Sequence, residues 1–117
     1  MSRRRTPPRT PKFNRLSEDR LTAMIEEATV DCYDESEQLT GWFTMIEENL
    51  EVPFESRVLG VQVTVERIDQ DRDDRIVAIC RRGGETQPVP ILNVPLPSPL
   101  PRGSEWIEAF RRWLEHG

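Results

Sequence analysis

Two helices, a small antiparallel sheet and a closing helix, an α+β arrangement, are predicted by three features of the 117-residue sequence. Apolar residues recur at three- and four-residue spacing from Leu21 to Leu50, and again from Trp106 to Leu114. Between those stretches the period falls to two. Helical and strand segments come in blocks rather than in alternation, which argues against a parallel doubly wound sheet. The length suits one domain, read here as residues 15–117 behind a disordered basic tail over residues 1–14.

The tail carries Arg3, Arg4 and Arg5 and the steps Thr6-Pro7 and Thr10-Pro11, with no apolar periodicity. Order is predicted to begin where Ser17 caps a helix, Glu18 and Asp19 face its positive end, and Leu16 staples onto Leu21. Leu21, Met24, Ile25 and Ala28 mark its buried face, and it ends near Thr29. A second helix, from about Glu35 to Glu51, places Leu39, Trp42, Phe43, Ile46 and Leu50 on one stripe and Glu37, Glu47, Glu48 and Glu51 on the opposite side. Pro53 stops it, and Phe54 folds back on the core.

Val61, Val63 and Val65 then alternate with Gln62, Thr64 and Glu66 in a half-buried strand, entered through a bend at Gly60. The continuous run Ile76-Val77-Ala78-Ile79-Cys80 reads as a central strand covered on both faces. Gly83-Gly84 is a hairpin turn, and Pro88 and Pro90 demote the segment Thr86–Leu92 to an edge strand because proline has no ladder donor. Pro95 to Pro101 forms an extended strap. Ser104 caps the last helix, whose apolar face holds Trp106, Ile107, Phe110, Trp113 and Leu114. Each tryptophan falls on such a face, so all three are read as core.

Charge and composition narrow the function. The first 20 residues carry a net +5 and the remaining 97 close to −10. So acidic a body repels a phosphate backbone and suits a cation, a basic protein partner or plain solubility, which leaves nucleic acid only the tail. No apolar run is long enough to span a membrane, and no apolar segment follows the arginines, so the protein is expected in the cytoplasm with Cys32 and Cys80 reduced. The single histidine, His116, cannot furnish a histidine-based triad or a multi-histidine metal site. Cys32, Cys80 and His116 lack zinc-finger spacing, and both thiols read as small buried side chains. No activated nucleophile or poised base can be named, so the chain is read as a non-enzyme.

Two acidic groups remain. Asp69, Asp71, Asp73 and Asp74 alternate through a turn where carboxylates could converge on a hard, oxygen-seeking cation. They do not make an EF-hand, because the loop has Asp74 where glycine is needed and Cys80 where the closing glutamate belongs. Arg72 and Arg75 offset the field, and a solvated hairpin loop accounts for the same residues. The second group, Asp31, Asp34, Glu35 and Glu37, spans the junction of the two helices. There Asp34 serves equally as an N-cap, with Glu35 and Glu37 favouring the positive helix end.

The stretch Val30-Asp31-Cys32-Tyr33-Asp34-Glu35-Ser36-Glu37-Gln38, with Gly41-Trp42, Ile46-Glu47-Glu48-Asn49-Leu50 and Pro53-Phe54, resembles the CcbP-type calcium-binding proteins. The likeness is strongest over residues 20–60 and extends loosely to Arg111-Arg112-Trp113-Leu114. It implies a fold similar to a small Src-homology-3-like barrel with flanking helices, and calcium held by surface carboxylates without an EF-hand. Carried onto this sequence, it implies Asp31, Asp34, Glu35 and Glu37 as the acidic segment, Glu47 and Glu48 as helical acids, and Asp69 to Asp74 as the loop. The expected function is therefore non-catalytic calcium binding through Asp31, Asp34, Glu35, Glu37, Asp69, Asp71, Asp73 and Asp74. The competing expectation is a small interaction module in which the barrel or the proline strap docks a protein and no metal binds.

Overall fold

The hydroxyl of Ser17 accepts a hydrogen bond from the Arg20 N–H at 3.1 Å and opens α1, Glu18–Thr29. The computed structural model describes residues 17–116, so the tail expected over residues 1–14 and the Leu16 staple lie outside the described residues. Helix α1 buries Leu21, Met24 and Ala28, and a short turn leads into α2, Glu35–Asn49, which buries Trp42 and Ile46. Gly41 lets the two helices touch: a Cβ there would fall well inside contact distance of the Ala28 carbonyl oxygen.

Helix α2 stops at Asn49, so Glu51 leaves the acidic helix face expected for it. Its N–H donates to the Arg102 carbonyl at 2.7 Å, and its carboxylate accepts the Arg102 N–H at 3.1 Å. This double link ties the end of α2 to the end of the proline strap. Gly103 makes the closeness possible: at φ 88° it adopts a conformation side chains avoid, and a Cβ would collide with the Asn49 carbonyl.

Four antiparallel strands follow in a meander of order β1-β2-β3-β4: β1 Phe54–Val58, β2 Val61–Gln70, β3 Ile76–Arg82 and β4 Glu85–Pro90. Phe54 packs against the core as sequence reading expects, and it also begins a strand that reading did not place, paired Phe54 to Val65 and Val58 to Val61. Strand β2 also runs past Glu66. A bulge between Val65 and Arg67 resets the alternation, so that Val65 and then Ile68 are buried. The Gly83-Gly84 turn and the edge position of the proline-bearing strand are as expected.

The sheet is open, which corrects the expected barrel. Closure requires the first and last strands to pair, and no ladder joins β1 to β4. Pro88 and Pro90 strip donors from β4, and the chain then leaves through one turn of 3-10 helix, Ile91–Asn93, into the strap. At the other side the buried Ser56 hydroxyl of β1 donates to the Pro95 carbonyl of that strap.

Five consecutive buried residues make β3 the centre of the sheet. Ile76, Ala78 and Cys80 join the core beneath the helices. Val77 and Ile79 face the other way and are screened by their neighbours in register, Asp69 and Pro90 beside Val77, Arg67 and Pro88 beside Ile79.

Helix α3, Glu105–His116, closes the helical layer with Trp106, Ile107, Ala109 and Phe110 buried and Trp113 packed at the margin. The Ser104 carbonyl accepts from the Ile107 and Glu108 N–H groups at its start. Leu114, expected on the apolar face, is half exposed in the last turn. Trp42, fully buried, is the hub between α2 and α3, with ring centroids 6.3 Å from Trp106, 5.6 Å from Phe110 and 5.9 Å from Trp113.

Candidate metal site

The first acidic group forms the start of α2. The Asp34 carboxylate accepts the Glu37 N–H at 2.8 Å, and Glu37 Oε1 reaches back to the N–H groups of Tyr33 and Asp34 at 2.8 and 3.2 Å. This reciprocal box satisfies donors that the first helical turn would otherwise leave unpaired. Asp34 and Glu37 therefore do the capping work that sequence reading set beside metal binding. Glu35 lies in the same turn, exposed. Asp31 is exposed in the turn before it, at φ 59°, a left-handed conformation that aspartate tolerates better than most residues.

The second group is built around Asp71 in the β2–β3 turn. Its Oδ1 accepts the N–H groups of Asp73 and Arg75 at 2.8 and 3.0 Å, and its Oδ2 accepts Arg75 Nε at 2.9 Å. Asp73 Oδ2 lies 3.4 Å from the same guanidinium. Partial burial pushes the Asp71 carboxyl up, but the hydrogen bonds from the Arg75 and Asp73 backbone and the Arg75 side chain outweigh it and hold the pKa below its ordinary value. Asp69 falls inside β2 rather than in the loop. It sits between Ile68, buried in the core, and Gln70, which meets α2, so it occupies the sheet face turned from that helix.

One bond brings the groups together. Ser36 Oγ, in the first turn of α2, donates to Asp74 Oδ2 at 2.9 Å. Asp74 takes φ 66°, and its carbonyl accepts from Gln70 Nε2 at 3.2 Å. The Thr40 hydroxyl stands 3.4 Å from Gln70 Oε1, a second polar link between α2 and the hairpin. Ser36, Thr40 and Gln70 escape a reading that looks for carboxylates, although Ser36 sits within the acidic run Asp34 to Glu37.

Among the described residues no three His, Cys, Asp or Glu side chains already stand together in a geometry that would hold one ion. The side chains on either side of this contact carry oxygen donors: Ser36 and Asp74 touch, Glu35 precedes Ser36 in the first turn of α2, and Asp71 and Asp73 lie in the same hairpin turn as Asp74. That is the donor chemistry of a hard cation such as calcium, not of zinc or copper. The thiols lie elsewhere, Cys32 half-buried between the helices and Cys80 buried in β3, its thiol pKa raised by burial. No helix among the described residues is long and apolar enough to cross a membrane.

Fold and charge together define an acidic α+β protein in which a carboxylate-bearing helix start adjoins an acidic hairpin. The family model described as calcium binding, CcbP, matches residues 20–114, and the chain belongs to that family. The crystal structure of Anabaena CcbP shares the fold, with a TM-score of 0.72 and 18% identity over 88% of this chain and 95% of that one. A calcium-binding protein in its calcium-binding form gives 0.71 and 19% identity over 86% and 93% of the two chains. No curated protein matches in sequence.

Proposed function

We propose that this protein binds calcium, without catalysis, where the first turn of α2 meets the β2–β3 hairpin. Asp74, Asp71 and Asp73 supply the hairpin side, and Glu35 with Asp31 the helix side; Asp34, Glu37 and Asp69 contribute charge to the surrounding field. The carrying observation is the Ser36–Asp74 hydrogen bond, which seats one acidic group against the other. Family membership supports the same ion.

Clustered carboxylates repel one another, and a divalent ion relieves that repulsion. Arg75 already relieves part of it for Asp71 and Asp73, and the capping box commits Asp34 and Glu37 to the helix. An arriving ion competes with both, so the binding is of moderate strength and falls with salt. Both thiols are free, in keeping with a reducing, cytoplasmic setting.

Titration calorimetry with calcium and with magnesium tests the reading. Wild type gives heat with calcium; Asp71→Asn/Asp73→Asn and Asp31→Asn/Glu35→Gln each weaken it, because each removes one side of the junction. No calcium heat in wild type, or heats unchanged in both variants, defeats the assignment and favours the metal-free interaction module.

A further inference from the structure

The β2–β3 hairpin turns at a place that glycine ordinarily fills. The Asp74 N–H donates to the Asp71 carbonyl at 3.0 Å and the Asp71 N–H to the Arg75 carbonyl at 2.9 Å, so Asp71 to Asp74 form a tight turn whose last residue takes φ 66°. Glycine is favoured there because it enters the left-handed region without steric cost. Aspartate is tolerated but not required. Its presence puts a carboxylate at this corner of the turn, against the Ser36 hydroxyl of α2.

Gln70, the last residue of β2, holds the backbone of Asp74. Its Nε2 donates to the Asp74 carbonyl at 3.2 Å, while its Oε1 lies 3.4 Å from the Thr40 hydroxyl. The carbonyl can only accept, so the amide nitrogen must face it and the oxygen is left for Thr40. An amide carries donor and acceptor on one planar fork; glutamate, lysine or methionine could not make both contacts. Ser36 and Thr40 stand four residues apart, on one face of α2. Asp74 is thus gripped twice from a single helix face, its carboxylate by Ser36 and its carbonyl by Gln70 braced on Thr40.

We propose that Gln70 is a positioning residue for calcium, braced by Thr40 and acting through Asp74. This role rests on calcium binding at the junction. Gln70 brings no charge; it fixes the backbone at Asp74, and with it the direction in which that carboxylate leaves the chain. A carboxylate set in place before the ion arrives loses less freedom on binding.

The test is calcium calorimetry on the full chain, with amide exchange in chelator beside it. Gln70→Met keeps length and charge and removes both contacts. The fold is retained by circular dichroism, the Asp74 and Arg75 amides exchange faster, and calcium affinity falls about threefold to tenfold, the contribution of one neutral hydrogen bond. Gln70→Glu separates position from charge. Added negative charge beside the ion would by itself tighten binding, whereas loss of the donor facing the Asp74 carbonyl weakens it, and weaker binding is expected. Thr40→Val weakens binding in wild type but not in the Gln70→Met background, because Thr40 acts through Gln70, while Thr40→Ser keeps the hydroxyl and binds as wild type. Unchanged affinity in Gln70→Met, whatever the exchange shows, overturns the role. So does binding in Gln70→Glu at or above wild-type strength, or a Thr40→Val loss that adds to that of Gln70→Met. Absence of calcium heat from wild type instead overturns calcium binding itself, on which the role rests.

Discussion

Ser36 and Asp74, 38 residues apart in the chain, are joined by a 2.9 Å hydrogen bond that sets the start of α2 against the β2–β3 hairpin. Ser36→Ala cuts that link without touching any carboxylate. The hairpin is then less constrained beside the helix, and calcium affinity is expected to fall by about threefold to tenfold through lost preorganisation together with the loss of the hydroxyl oxygen itself. Calorimetry on the variant, with amide exchange over residues 71–75 as a second readout, checks it: looser exchange should accompany the weaker binding.

Arg75 acts in the opposite sense. Its guanidinium occupies oxygens of Asp71 and Asp73 that calcium would use. Arg75→Gln is expected to raise calcium affinity by about threefold to tenfold at low salt, and the gain should shrink as salt rises. Affinity unchanged at low salt would place the ion away from this hairpin.

Three carboxyls are held below their ordinary pKa: Glu66 by the Arg81 side chain, Glu55 by hydrogen bonds from Gln62 and Thr64, and Asp71 by the Arg75 and Asp73 donors that overcome its burial. A folded-state pKa below the unfolded one gives stability present at neutral pH and lost as pH falls through the folded value. The urea midpoint should therefore drop below about pH 5. Glu55→Gln/Glu66→Gln/Asp71→Asn should flatten that acid limb.

Burial alone predicts two contrasting substitutions at Trp42. Trp42→Ala empties the centre of the aromatic cluster and is expected to cost about 3–5 kcal/mol. Trp42→Phe should cost clearly less, because the buried indole N–H has no hydrogen-bond partner among the described residues to lose. Denaturant unfolding of the two variants measures the difference.

Gly41→Ala is expected to destabilise by about 1–3 kcal/mol, because the added methyl meets the Ala28 carbonyl and the helices must part. Thermal unfolding checks it.

The helices were legible because their stripes are regular: Leu21, Met24 and Ala28, then Trp42 and Ile46, bury as their spacing requires. Strand β1 was not, since the middle of its inward face is Ser56, a polar residue whose burial depends on a carbonyl 39 positions away. The far half of β2 was hidden by the bulge at Val65–Arg67, which breaks the period that sequence reading follows and carries Asp69 out of the expected loop. The acidic groups were visible in outline. Which carboxylates are committed to capping or to Arg75, and that Ser36 joins the halves, depend on tertiary contacts that no local pattern encodes.

The aromatic hub has a consequence for biosynthesis. Trp42 is synthesised well before Trp106, Phe110 and Trp113, the rings that pack on it, so the nascent chain carries this indole without those partners until α3 has been made. Cooperative folding must therefore wait for the residues of α3, and a stalled product lacking them would expose a sticky surface to chaperones and proteases.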